Sequence, residues 1–259
     1  MRGADSLQKR GFMIYSFESK VRFSECAQDM RLSYSGIVDY MQDASGAQSE
    51  ELGIGMDELL KAGRGWFLIG WNIRVVERPK IGTELKISTW ANDFKGIYGD
   101  RNMQIVDKNT GDVYAESDAL YVFMDLKKMR PTRVAGVLGK GYEVSPRLES
   151  VGERERKLTV PEGGEEKEQR TVMKHDIDGY GHMNNARYVE LAQDFIPEGF
   201  KVRRIRVEYK ISAQLGEVIT PVVVESQNEY GKCVIIDLRN KDGKTFACVE
   251  FDADDEVEK

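Results

Sequence analysis

The chain contains only two histidines, His175 and His182. Both fall in one stretch, His175-Asp176-Ile177-Asp178-Gly179-Tyr180-Gly181-His182-Met183-Asn184-Asn185-Ala186-Arg187-Tyr188. This stretch runs into the start of an expected helix. Unpaired N–H groups at a helix N-terminus carry partial positive charge. They can polarise a carbonyl and hold the oxyanion formed when it is attacked. A carboxylate and an imidazole beside such a terminus can activate water or attack directly. Asp178 and His182 are therefore the candidate catalytic pair. The surrounding glycines let the loop turn tightly and let a substrate approach the backbone. Plainer roles exist: an aspartate before a helix is often a cap, and a histidine near a cap is often a surface residue. Asp176, Asp178 and His182 are also conceivable metal ligands, but no cysteine or second cluster supports that chemistry, and neither metal nor cofactor is expected.

The helix that must hold this stretch is expected over Asn184–Phe195, with Asn184 or Asn185 as N-cap and Tyr188, Leu191, Ala192 and Phe195 as its apolar stripe. A second helix is expected over Ser35–Glu51, with Ser35 as N-cap, Asp39 in the first turn, and a stripe of Ile37, Met41, Ala44 and Gln48. Strands are expected after each. Phe67–Glu77, Glu84–Ala91, Asn102–Val106 and Val113–Met124 are rich in β-branched and aromatic residues or alternate at period two. The run from Val202 to Tyr209, then Val218–Glu225, Cys233–Leu238 and Thr245–Phe251, repeats the pattern. Pro221 marks an edge or a bulge.

The two halves read as a repeat. Tyr98-Gly99 stands as far before the turn glycine Gly111 as Tyr230-Gly231 stands before Gly243. Each half also has a glycine before its second strand, Gly82 and Gly216. The pattern implies an α+β protein in which a long helix is wrapped by a curved antiparallel sheet, twice. The expected division is an N-terminal domain over 1–140, a polar, glycine-bearing linker over 141–170, and a C-terminal domain over 171–259 that carries the site. The acidic tail Asp252–Lys259 is expected to fray.

The 259 residues carry a net charge of −6, which argues against a nucleic-acid partner. Apolar runs fall short of the ~20 residues of a membrane helix, so no membrane partner is expected. The polar start, Met1 to Gly11, shows no secretory leader. Cys26, Cys233 and Cys248 are an odd, widely spaced set. This excludes a disulfide scaffold and fits the reducing cytoplasm.

The block DIDGYGHMNNARYVE resembles the D-[IL]-D-x-N-x-H-[VM]-N-N-x-x-Y motif of acyl-ACP thioesterases. The resemblance extends to Trp66–Val75, to Thr89-Trp90, to the turn Asp107–Asp112 and to Val207-Glu208-Tyr209-Lys210, which is similar to the family's E-Y-[RK] strand. It runs from about Met13 to Val249. It implies two tandem hotdog domains and hydrolysis of the thioester of fatty acyl-[acyl carrier protein], with free fatty acid as product. It puts the family aspartate on Asp178 and the family histidine on His182. The family asparagine falls on Tyr180, and the plant glutamate falls on Ser212. Tyr180, Asn184, Asn185 and Ser212 are accordingly expected to line the site.

The resemblance implies acyl carrier protein as partner, and a homodimer stays open. It also implies that the histidine-free first half holds the acyl chain, for which Ile37, Met41, Leu52, Ile54, Met56, Leu59, Leu60, Trp66 and Phe67 are the apolar candidates. An acidic carrier needs a basic surface. Two basic groups are candidates: Lys127, Lys128, Arg130 and Arg133, and Lys201, Arg203, Arg204, Arg206 and Lys210. The alternatives are an acyl-CoA thioesterase of the same fold and a non-catalytic acyl-binding protein, which Tyr180 and Ser212 favour.

Overall fold

The computed structural model describes residues 13–134, 143–152 and 157–253. The expectations for Met1–Gly11, for the end of the tail and for parts of the linker lie outside them. The chain divides into two compact units, residues 1–69 with 76–153, and residues 70–75 with 154–259.

The first unit holds β1 (Tyr15–Lys20), α1 (Tyr34–Glu51), α2 (Met56–Lys61), the first half of β2 (Arg64–Val75), β3 (Glu84–Lys95), β4 (Tyr98–Asp107), β5 (Val113–Asp125) and the short β6 (Arg130–Pro131). Its strands pair antiparallel in the order β1-β3-β4-β5, with β6 on β5. Helix α1 packs on β1, β3 and β4. Its stripe Ile37, Met41, Ala44 and Gln48 is buried as the spacing predicts. Each fully buried apolar side chain of this size contributes ~1.5–3 kcal/mol. The N-cap is Ser33, whose hydroxyl accepts the Gly36 N–H at 3.0 Å, not Ser35. Ser33 is the last extended residue, while Ser35 already lies inside the first turn and is buried. Asp39 is consequently in the second turn, where it accepts from Gln42 at 3.2 Å.

The second unit holds β7 (Glu165–Glu166), β8 (Arg170–Thr171), α3 (Asn185–Gln193), β9 (Val202–Tyr209), β10 (Val218–Asn228), β11 (Gly231–Arg239) and β12 (Thr245–Ala253). Residues 70–74 of β2 pair with β9, which is followed by β12, β11 and β10 in antiparallel order. Helix α3 packs on β11 and β12. It is shorter than expected and ends before Phe195, which is half-buried beyond it. Its cap is Asn184.

Pro221 occupies an edge-like position. The outer side of β10 pairs with β8 through Val218 and Ile219, and with β7 through Val222 and Val223. Pro221, lacking an N–H, falls between these two pairings. Strands β7 and β8 lie in the stretch around 141–170. Leu158 is buried there with Val224, Ile235 and Cys248.

The repeat shows in the turns. Asp107 Oδ1 accepts the N–H groups of Asn109 and Thr110, and Gly111 follows at φ +77°. Asn240 Oδ1 accepts those of Asp242 and Lys244, with Gly243 at φ +76°. No helix among the described residues is long and apolar enough to cross a membrane.

Candidate active site

The Asp178–His182 segment is a closed turn between a one-turn 3₁₀ helix, Lys174–Asp176, and α3. Asp176 anchors its start. This fully buried carboxylate accepts the Met173 N–H at 2.8 Å and Arg170 Nη2 at 2.9 Å, and the Asp176 carbonyl accepts the Asn184 N–H at 2.8 Å. Its oxygens are thereby engaged in scaffolding. Of the three conceivable ligands, one is committed elsewhere.

Asp178 donates its N–H to the His182 carbonyl at 2.8 Å, and its own carbonyl accepts the Gly181 N–H at 3.0 Å. Its Oδ1 accepts the N–H of Tyr180 at 2.8 Å and of His182 at 3.4 Å. Oδ2 makes no hydrogen bond to another described residue. Gly181 sits at φ +80°, the left-handed region in which glycine carries no steric penalty. Ile177 and Met183 close the turn with a bridge. Asn184 then caps α3, its Oδ1 accepting the Ala186 N–H at 2.8 Å. Asp178 and His182, both half-buried, thus meet across one turn at the positive end of a helix.

Ser212 is exposed on the segment that follows β9. The next residue, Ala213, accepts the Met183 N–H at 2.8 Å and donates its own N–H to the Tyr188 phenol at 2.8 Å. Position 212 therefore lies beside residues 182–184. Asn185 is the first helical residue, and its carbonyl accepts the Tyr209 hydroxyl at 3.0 Å. Burial pushes the Tyr188 phenol up to about 12, so it stays protonated at neutral pH. Tyr188 and Tyr209 are contacts that residue-type reasoning left in the apolar stripe and the strand. The tyrosine at the end of the x-x-Y motif was the available signal.

The first unit builds the same turn from different side chains. Ala27 donates to the Arg31 carbonyl at 2.9 Å, Met30 to the Ala27 carbonyl at 3.0 Å, and Ser33 to the Glu25 carbonyl at 2.9 Å. Ala27 thus corresponds to Asp178, and Arg31 to His182. The counterpart of Ser212 is Arg78, which ion-pairs with Asp29, donates to the Leu32 carbonyl at 3.2 Å and lies over the Tyr34 ring at 4.8 Å. Where the first unit has this guanidinium, the second has the exposed Ser212.

The second basic group is split: Lys201 and Lys210 are exposed and Arg203 is half-buried, but Arg204 and Arg206 face inward. Arg204 and Arg206 are each 8% exposed. Arg206 pairs with Glu250 at 2.5 Å, and Arg204 Nε donates to Asn72 at 2.7 Å. Period-two alternation in β9 turns them into a buried face. Lys127, Lys128, Arg130 and Arg133 are exposed. Cys233, Glu250 and Asp252 form the one metal-compatible cluster among the described residues. Arg206 and the Asn228 amide bond Glu250 Oε1, and Asn228 also bonds Asp252 Oδ1. Asp252 Oδ2 has no hydrogen-bond partner among the described residues and lies 4.0 Å from Arg204 Nη1. The two carboxylates thus sit in a buried charge network with Arg204 and Arg206, and burial pushes the Cys233 thiol up to about 11.

Two units of an antiparallel sheet packed on a helix define a tandem hotdog protein, with a closed turn at each helix N-terminus and an aspartate–histidine pair on the second. The chain matches the acyl-ACP thioesterase N-terminal domain over residues 13–142 and the acyl-ACP thioesterase C-terminal domain over residues 161–252, and it belongs to the acyl-ACP thioesterase family. It is 22% identical over 244 residues to an acyl-[acyl-carrier-protein] hydrolase, chloroplastic, of Cuphea viscosissima, covering 88% of this chain and 58% of that protein. It is 22% identical over 232 residues to a dodecanoyl-[acyl-carrier-protein] hydrolase, chloroplastic, of Cinnamomum camphora, covering 80% of this chain and 58% of that one. The chain thus spans little more than half the length of these curated relatives. An acyl-ACP thioesterase from Bacteroides thetaiotaomicron superposes with a TM-score of 0.80 at 18% identity, covering 92% of this chain and 97% of that one. The 12:0-ACP thioesterase of Umbellularia californica gives 0.79 at 17%, covering 92% and 96%. At these identities the superpositions establish the fold.

Proposed function

We propose that the protein hydrolyses the thioester of fatty acyl-[acyl carrier protein] and releases free fatty acid. The observation that carries this is the Asp178–His182 turn at the N-terminus of α3, in a chain of the acyl-ACP thioesterase family. The Asp178 carboxylate takes a proton from water, whose oxygen attacks the thioester carbonyl carbon. The resulting oxyanion rests against the N–H of Asn185, the first residue of α3. Collapse breaks the carbon–sulfur bond, and the departing thiolate of the phosphopantetheine arm takes a proton from His182. Alternatively Asp178 attacks the carbonyl itself and expels the thiolate, which takes a proton from His182, and water then opens the mixed anhydride at the Asp178 carboxyl carbon. Single turnover in heavy-oxygen water separates the two, because only the second route labels Asp178.

In this proposal residues 171–259 carry catalysis, residues 1–140 hold the alkyl tail, and 141–170 connect them. Leu52, Ile54, Met56, Trp66 and Phe67, all half-buried in the first unit, are the tail-lining candidates. Each buried methylene contributes ~0.8 kcal/mol, so the depth of that lining sets chain-length preference. The three unpaired cysteines suit a reducing compartment such as the cytoplasm.

The test is thiol release from acyl carrier protein loaded with acyl chains of graded length, run beside the same chains on coenzyme A. Faster turnover of the carrier-bound series supports the proposal. Faster turnover of the coenzyme A series replaces the substrate. A second reading, a non-catalytic acyl-binding protein, is favoured by Tyr180 and Ser212 in the places of the family asparagine and the plant glutamate. Tight binding of acyl thioesters without thiol release establishes it.

A further inference from the structure

Tyr188 and Tyr209 make two hydrogen bonds that the first unit does without. The Tyr188 phenol oxygen accepts the Ala213 N–H at 2.8 Å, and the Tyr209 hydroxyl donates to the Asn185 carbonyl at 3.0 Å. The two rings meet edge to face with centroids 5.7 Å apart. Main-chain bonds fix their counterparts. Lys210 and Ile211 both donate to the Phe246 carbonyl, as Val76 and Glu77 both donate to that of Tyr114. Met183 donates to the Ala213 carbonyl, as Leu32 donates to that of Pro79. Tyr188 follows the Asn184 cap by as many residues as Ile37 follows the Ser33 cap. Tyr209 thus corresponds to Val75, Ala213 to Pro79, and Tyr188 to Ile37.

In the first unit the donor and the acceptor are missing together. Pro79 has no N–H to give and Ile37 no oxygen to receive one. Val75 has no hydroxyl. The first unit nevertheless closes the same turn and caps the same helix, so the fold does not require these bonds. Asp178 and His182 are also confined to the second unit. We propose that Tyr188 and Tyr209 are positioning residues for thioester hydrolysis: one fixes the 211–213 segment that bears Ser212, the other fixes the first residue of α3, both against the Asp178–His182 turn. This rests on the hydrolase proposal above. The Tyr188 oxygen is 2% exposed with its residue, so loss of the bond strands a buried N–H that water cannot serve.

Tyr188→Phe keeps the ring and removes only the oxygen. The expected result is a kcat on acyl-[acyl carrier protein] at least ~10-fold lower with KM changed less than ~3-fold, the signature of misplacement rather than lost binding. Amide exchange should quicken at 182–184 and 211–214 and nowhere else. Tyr188→Phe with Ala213→Pro copies the first unit, removing the stranded N–H, and should recover Tm without recovering kcat. The proposal is overturned by unchanged exchange and kcat in Tyr188→Phe, or by a double variant that regains both Tm and kcat. Tyr209→Phe, read the same way at Asn185, decides the matter if Tyr188→Phe does not fold. If the wild-type protein releases no thiol, the hydrolase proposal fails. The exchange measurement then decides alone whether the phenol holds the segment.

Discussion

Asp178 hands its main-chain N–H to the His182 carbonyl at 2.8 Å, so the two residues are ends of a single hydrogen-bonded turn. The same carboxylate also accepts N–H groups from inside that turn. Its structural and chemical duties are separable, because only one oxygen is engaged.

Asp178→Asn keeps the engaged oxygen and discards the charge. Thiol release should fall by at least ~100-fold, the scale of a lost general base, with the melting temperature nearly unchanged. Asp178→Ala should lose activity and also loosen the turn. Equal activity of Asp178→Asn and wild type in the thiol assay would remove Asp178 from the mechanism.

Ser212→Arg with Tyr180→Asp rebuilds the first unit's Arg78–Asp29 pair in the second. The guanidinium should close the space beside the turn and cut thiol release by ~10-fold or more, while a surface-type pair changes stability by under ~1 kcal/mol. Retained turnover in steady-state assays would show that substrate does not cross position 212.

Met30 holds φ +59° where its counterpart Gly181 holds +80°. A side chain in this region costs roughly 1–2 kcal/mol. Met30→Gly should therefore raise stability by up to ~1 kcal/mol after the added freedom of the unfolded glycine is subtracted, as read by denaturant titration. A loss of stability would show that the Met30 side chain, 42% exposed, contributes packing that outweighs the strain.

Glu250 is held up at about 7 by burial and by Asp252, against an ordinary 4.5, despite Arg206. The folded state thus binds the proton more tightly than the unfolded chain. This group's contribution is fully present below about 4.5 and is lost as pH rises to about 7. Glu250→Gln should flatten that fall, by up to ~1.4 kcal/mol for each pH unit crossed. Unfolding free energies measured across the window check it. An unchanged slope would assign the titration elsewhere.

The residues alone carried much of this protein. Period-two alternation set the long strands, because a strand buries every second side chain. The stripe Ile37, Met41, Ala44 and Gln48 marked α1, because helical spacing puts those side chains on one face. Asn184 was legible as a cap, and the turn glycines Gly111 and Gly243 exposed the repeat. The motif from Asp176 to Tyr188 is contiguous, so the meeting of Asp178 and His182 was a local fact.

What only the tertiary structure decided depends on which face a residue takes and which distant segment it meets. Arg204 and Arg206 look like a basic surface in one dimension. The sheet turns them inward, where a charge needs a partner, and Glu250 and Asn72 lie across from them. Ser33 displaced Ser35 as cap because the backbone becomes helical two residues earlier than a Ser35 cap implies. Ser212 reaches the Asp178 turn through main-chain pairing between residues thirty apart in the chain, and the Tyr188–Ala213 bond crosses a similar gap. Such pairings follow from sheet register, which the whole core sets and no local window of sequence contains.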